Sequence, residues 1–286
     1  MMHELITNHS WFLYVAVALC SLAVGSLLNV VIYRLPIMLQ NEWQQEYCEL
    51  MDLKAEESQP LNLFVPRSFC PSCKTMVNAW QNIPLLSYLF LGGHCYHCKS
   101  PISIRYPLIE LGTMLLSLYA CWHLGFTWQL PFALIAIWLL ICLFFIDIDH
   151  QLLPDSLTLS FLWIGLIANT ANLFAPLPEA VLSAAGAYVL LWLFIKLFYL
   201  VTGKIGMGNG DFKLFAAFGA WFGWKFLPLI LLFSSIAGTI IGLLYLYLQD
   251  KSKDTTIPFG PFLCASGIAT LFWGQKILDW YVHLWI

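Results

Sequence analysis

Long apolar runs separated by short polar turns set the pattern of this chain. The first is "WFLYVAVALCSLAVGSLLNVVIY" (11–33), and others follow at 106–124, 129–146, 156–174, 179–201, 212–224, 226–248 and 259–278. A hydrocarbon core of about 30 Å needs about 20 mainly apolar residues per helix. The pattern predicts an all-α polytopic membrane protein with about eight transmembrane helices, the short sixth being the least regular. The first run is too long for a signal peptide, no basic residue precedes it and no small-x-small site follows. It is expected to remain as a membrane helix. Residues 35–105 form the one sizeable polar stretch. Its opening, "NEWQQEYCELMDLKAEES", holds six acids against one lysine, with Trp43, Tyr47, Leu50 and Lys54 at helical spacing. It reads as a solvated acidic face, with a short amphipathic helix as the alternative.

Composition removes the soluble alternative. The 286 residues are 60% hydrophobic and only 10% charged, and mean hydropathy is +0.77. Soluble domains are about 45–50% apolar and about 25% charged. Net charge is −3, with no basic stripe carrying interleaved aromatics, so nucleic acid is excluded as an expected partner.

The basic residues orient the spans. Arg34, Lys54, Arg67, Lys74, Lys99 and Arg105 lie between the first and second spans. Lys204 and Lys213 bracket the turn after the fifth span, and Lys251 and Lys253 follow the seventh. The turns "HLGFTWQ" and "LFAPLPEA" on the other side have no Lys or Arg; Lys225 and Lys276 are minor exceptions. The positive-inside bias then places both termini outside and residues 35–105 in the cytoplasm.

That polar stretch carries two C-x-x-C pairs, "CPSCK" (Cys70, Cys73) and "CYHCK" (Cys95, Cys98), separated by 21 residues. Each pair suits a tight turn with both sulfurs facing one ion, and four thiolates close a tetrahedral zinc site. Disulfides are disfavoured on the reducing side of the membrane. His94 or His97 could replace one cysteine, but the paired spacing favours four thiolates. With no open position, such a metal would be structural. The scattered Cys20, Cys48, Cys121, Cys142 and Cys264 read as small core residues.

Ionisable groups in spans are costly and are functional candidates. Here they are Glu110, Asp147, Asp149, Asp155, Lys196 and Asp211. The third span ends in "LFFIDIDHQLLPDSLT", where Asp147 is the first acid after the apolar run. On a continuing helix Asp149 would point about 200° away from it. Asp155, after Pro154, is expected to be a helix N-cap. Lys196 reads as a snorkelling side chain. Upstream of the sixth span lies "TGKIGMGNGDFK" (202–213), whose Gly203, Gly206, Gly208 and Gly210 lead into Asp211. The loop lacks G-x-G-x-x-G, follows no strand and precedes no Lys-Ser/Thr, so a phosphate or dinucleotide site is not supported.

Asp147 and Asp211 would meet at one edge of the membrane from two helices. Two close carboxyl groups that share a proton suit aspartic-protease chemistry: one activates water while the other protonates the substrate. Membrane acid pairs also serve proton or cation transport, but no internal repeat is present and these acids stand at the edge rather than the midplane. A purely structural reading, with the glycines serving helix packing alone, is the bland alternative.

"GNGD" (208–211) resembles the G-x-G-D signature of intramembrane aspartyl proteases, the group of presenilins and prepilin peptidases. "DIDHQLLPD" (147–155) is similar to the partner motif of bacterial type IV prepilin leader peptidases. "CPSC…NIPLLSYLFLGGHCYHC…ISIRYPLIE" (70–110) resembles that family's cytoplasmic cysteine domain, so the likeness runs over nearly the whole chain. It implies catalytic roles for Asp147 and Asp211, the former because the family's acid stands seven residues before the motif proline, here Pro154. It also implies an active-site loop at Gly208 and Gly210, and a link between Gly93 and methylation. The implied activity is removal of the leader from type IV prepilins and type II secretion pseudopilins, after glycine and usually before phenylalanine. N-methylation of the new terminus with S-adenosylmethionine then follows. The implied location is the bacterial inner membrane with the reaction at its cytoplasmic face. The implied division is a first transmembrane helix (1–34), a cysteine-rich zinc domain (35–105) and a seven-helix protease domain (106–286), embedded in membrane lipid. Oligomeric state is open.

Overall fold

Because the apolar run after Ser10 contains no glycine–proline break, α1 (Ser10–Leu50) passes through the first predicted span and continues well beyond it. Its 41 residues extend roughly 60 Å at about 1.5 Å per residue, about twice a bilayer core. Pro36 lies inside it. The acidic stretch is thus helical as far as Leu50, while Trp43, Tyr47 and Leu50 are all exposed. The computed structural model describes residues 10–53, 61–203, 207–249 and 257–283; Lys54, Lys204, Gly206, Lys251 and Lys253 lie outside these.

The chain divides into two compact units, Met1–Trp122 and His123–Ile286. In the first, α1 is followed by a 3₁₀ turn (Ala79–Asn82), the short α2 (Leu86–Phe90) and α3 (Arg105–Leu124). Helices α1 and α3 approach closely at Gly25, where a Cβ would stand 2.8 Å from the Glu110 Cα. Buried Glu110 accepts a 2.8 Å bond from the Leu85 N–H and another from the Ser26 hydroxyl. That carboxylate pins the loop before α2 onto α3.

The second unit holds α4 (Gln129–His150), α5 (Asp155–Thr170), α6 (Leu177–Thr202), α7 (Asn209–Phe222), α8 (Leu227–Gln249) and α9 (Gly260–His283). Its axis is α7, packed by α5 and α6, with α9 against α4 and α8. Every residue of α7 from Asp211 to Phe222 is buried except Lys213. Small residues on neighbouring helices admit its large rings. A Cβ at Gly165 would stand 2.5 Å from the Trp221 ring, and one at Gly267 would stand 2.1 Å from that of Phe218. Trp221 stacks on Phe161 and donates its indole N–H to the Phe161 carbonyl at 2.7 Å.

Eight helices of 14 residues or more thus stand where the eight apolar runs predict them, with no strand among the described residues. Among the described residues, four segments are long and apolar enough to cross a membrane: Trp11–Leu50, Gln129–His150, Leu177–Thr202 and Trp224–Tyr245. With only 14 residues, α7 is about 21 Å long and is a core helix within its unit. One expected cap is corrected. The N-cap of α5 is Pro154, and Asp155 is its first helical residue. The Asp155 carboxylate instead binds Lys213 Nζ at 2.6 and 2.7 Å, joining the first turns of α5 and α7.

A fully buried side chain closes the other end of α7. Asn169 donates to the carbonyls of Ala220 and Trp221 at 2.8 and 3.0 Å and accepts from the N–H groups of Phe174 and Ala175. Buried groups left unpaired cost about 1–3 kcal/mol each. Asn169→Ala is therefore expected to destabilise the folded protein by about 3 kcal/mol or more, read by unfolding in mixed micelles. Gly186→Ala, where an added Cβ meets nothing within 4 Å, should be near neutral.

Candidate active site and metal centre

The last turn of α4 and the first turn of α7 both carry a buried acid. Asp147 is 5% exposed and Asp211 is 8% exposed, whereas Asp149, about 200° round the helix from Asp147, and His150, the last residue of α4, are exposed. Asp211 occupies the third helical position after N-cap Gly208, and its carboxylate accepts the Gly208 N–H. This is half of a capping box, with the acid reaching back to the N-cap amide. The helix is thereby started and the carboxylate fixed in one step.

Asp147 is held in a parallel way from another helix. The N–H of Gly260, first residue of α9, donates to its carboxylate. A Cβ at Gly260 would lie 2.6 Å from Asp147 Oδ2. Only glycine lets the amide come that close. The two cradles share a neighbour, buried Leu153. Its side chain lies 2.8 Å from where a Gly210 Cβ would stand and 3.2 Å from where a Gly260 Cβ would stand. Asp147 and Asp211 interact electrostatically with one another, and both with fully buried Cys264 of α9. Such an arrangement can place two carboxyl groups on one reacting bond without metal or nucleophilic side chain. Sequence reasoning found both acids and the Gly208–Gly210 loop. It missed Gly260, Leu153 and Cys264, although "PFGPF" (258–262) carries the signal of a glycine between prolines at a helix start.

The four cysteines converge in the first unit. Cys70, Cys73, Cys95 and Cys98 present sulfurs that all lie within 4.8 Å of one another. The Cys70–Cys98 separation is 3.8 Å, close to the roughly 3.8 Å edge of a tetrahedron with metal–sulfur bonds of about 2.3 Å. The two pairs are built alike. Cys70 N–H bonds Thr75 O, and Cys95 N–H bonds Ser100 O; Lys74 N–H bonds Cys70 O, and Lys99 N–H bonds Cys95 O. Lys74 and Lys99 both take left-handed backbone, at φ 59° and 57°. Each C-x-x-C-K is one knuckle, and the second repeats the first. The Cys70 thiol is pulled down to about 5 by the Cys73 backbone N–H, the Ser100 hydroxyl and the Ser72 N–H, which favour the thiolate a metal needs. Ser100 likewise lowers Cys98, its hydroxyl 3.1 Å from the sulfur. His94 bonds Gly92 O and His97 meets the Tyr96 ring, so neither joins the cluster.

Gly93 stands two residues before Cys95, at φ 73° and buried. A Cβ there would lie 2.9 Å from the Tyr88 hydroxyl, and its carbonyl accepts Ile102 N–H at 2.7 Å. Its geometry shapes the second knuckle.

Comparison with known proteins agrees with this layout. Residues 19–124 match the bacterial peptidase A24 N-terminal domain, and 134–243 match the type IV leader peptidase family. A prepilin leader peptidase/N-methyltransferase of Legionella pneumophila is 66% identical over 287 residues, covering 100% of both chains. Proteins of the same name from Pseudomonas aeruginosa and Neisseria gonorrhoeae are 48% and 47% identical. The first covers 98% of this chain and 97% of its own, the second 87% of each. No solved structure matches. The chain belongs to the type IV leader peptidase family.

Gly93→Ala must strain the backbone and crowd Tyr88. It is expected to weaken cobalt(II) binding to the four thiols at least about tenfold, followed by the thiolate charge-transfer bands. Gly92→Ala, with left-handed φ but nothing within 4 Å of the added carbon, should have a smaller effect.

Proposed function

We propose that this chain is a bifunctional leader peptidase and N-methyltransferase acting on type IV prepilins and type II secretion pseudopilins. The observation that carries the reading is the pair of buried acids, Asp147 and Asp211, each gripped by a glycine amide, with Leu153 packed beside both Gly210 and Gly260. The substrate's apolar helix lies in the bilayer and brings its leader junction, glycine before phenylalanine, to these acids. The pair holds one proton between its two carboxyl groups. The ionised member removes a proton from water as that water attacks the scissile carbonyl, while the neutral member gives its own proton to the carbonyl oxygen. The proton taken from water then passes to the leaving amine as the C–N bond breaks, and the re-forming carbonyl returns its proton to the pair. Gly208 and Gly210 leave room for an extended substrate backbone.

The freed amine is then methylated. S-adenosylmethionine, when bound, would supply the electrophilic methyl group for that amine, leaving as the thioether while the amine gives up a proton to water. The four cysteines hold zinc as a structural ion. The positive-inside bias puts the cysteine domain and both acids at the cytoplasmic face of a bacterial inner membrane, with eight spans and both termini outside. We assign 1–34 as the first transmembrane helix, 35–105 as the zinc domain and 106–286 as the protease domain.

Asp147→Asn and Asp211→Asn are each expected to abolish leader removal from a purified prepilin, read by mass spectrometry, while methylation of an already cleaved pilin persists. Full cleavage by both variants sinks the two-aspartate mechanism. Gly260→Ala pushes a carbon against the Asp147 carboxylate. Its kcat for cleavage should fall about 100-fold with KM little changed and methylation intact. A transporter would instead show neither the leader's mass loss nor the added methyl.

A further inference from the structure

The first unit holds a cleft of about 390 Å³ where α1 leaves its apolar run, within the range of about 300–1,000 Å³ that small-molecule sites occupy. Arg34 and Arg67 line it. Arg34 is only 7% exposed, and its guanidinium donates to two neutral acceptors, Asn62 O at 2.8 Å and Pro66 O at 2.6 Å. Those bonds use two of its five N–H donors. No carboxylate offsets its charge among the described residues. A buried cation without a counter-ion is expensive. Arg67 is exposed and makes no hydrogen bond or ion pair among the described residues. Two guanidinium forks with no acid in the lining select an anion and reject a ligand that also carries cations. Phosphate oxygens suit both forks.

The surroundings of the forks fix what carries that phosphate. Ala23, Leu27, Val30 and Arg34 recur every three or four residues and share one face of α1. Ala23 and Leu27 are exposed, and Val30, which lines the cleft, is half-buried. An apolar stripe thus runs along the first span and ends on a guanidinium. Leu63 and Phe64 add an apolar rim, the Phe64 ring 83% exposed, while Ser68 and Asn82 add a hydroxyl and an amide. A free phosphate uses the arginines and leaves the stripe bare; a lipid uses both. The positive-inside bias turns this end of α1 towards the cytoplasmic leaflet, whose surface is negative. We propose that the cleft seats the phosphate of an anionic phospholipid such as phosphatidylglycerol. Arg34 and Arg67 hold its oxygens, Ser68 and Asn82 meet its glycerol headgroup, and an acyl chain lies along Leu27 and Ala23. The site requires neither the cleavage nor the methylation chemistry. Ser68 O accepts Val77 N–H at 2.8 Å at the base of the first cysteine knuckle, so the bound lipid ties that knuckle to the membrane surface.

The test uses delipidated full-length protein in a non-ionic detergent, with native mass spectrometry to count bound lipid. Phosphatidylglycerol should bind as a single tight copy per chain. Phosphatidylcholine, whose choline would face two arginines, should bind at least about tenfold more weakly. Arg67→Ala, at an exposed position, should raise the Kd for phosphatidylglycerol at least about tenfold, the size of a lost charge-assisted bond. Cobalt(II) binding by the four cysteines should stay native in that variant. Arg67→Lys, which keeps the charge without the fork, should fall between. Lys276→Ala, which removes an exposed cation of α9, should leave the Kd unchanged. An unchanged Kd in Arg67→Ala overturns the site, and so does an equal loss in Lys276→Ala, which reports overall charge. Equal binding of the two lipids overturns the anion receptor. Displacement of phosphatidylglycerol by inorganic phosphate gives the cleft to a free anion and overturns the lipid.

Discussion

A helix packed inside protein must have the free amides and carbonyls of its ends satisfied by neighbouring groups. In this fold that constraint falls on α7, which is buried from Asp211 to Phe222 except at Lys213. Its carbonyl end is closed by Asn169 on Ala220 and Trp221, and by Ser183 on Gly219. Its amide end is closed by Asp211. The same requirement that ends the helix therefore places a carboxylate in a buried site. A neutral cap would satisfy the amide without burying an ionisable group there.

The four-cysteine cluster answers a different problem. The segment between α1 and α3 has little apolar core of its own: α2 contains no buried residue, and Phe64, Phe69, Leu89 and Phe90 are exposed. Two repeated knuckles bring four thiols together within 4.8 Å of one another, a cluster able to hold a metal ion and so to supply the cross-link that packing does not. Glu110 and Arg34 add two buried charges spent on backbone groups, tying this segment to α3 and α1.

Apolar periodicity made the helices legible, and C-x-x-C spacing made the metal cluster legible, since both are local signals. Asp147 and Asp211 stood out because acids are rare beside such runs. What was hidden depends on partners distant in the chain. Gly260 is 113 positions after Asp147, and nothing near it announces which carboxylate its amide meets. Asp155 carried a strong local signal for a cap, but a lysine 58 positions away took the carboxylate instead. The continuity of α1 past Pro36 was masked by the change from apolar to acidic composition, which alters solvation without altering helix geometry.

Leu153 has a consequence for motion. It stands on the turn between α4 and α5 and packs beside Gly210, next to Asp211 on α7, and beside Gly260, the first residue of α9, whose amide meets Asp147. Hydrocarbon in a packed interior transmits displacement rather than absorbing it. A shift of that turn therefore reaches the surroundings of both acids at once, so one leucine couples two helix starts that are 50 positions apart in the chain.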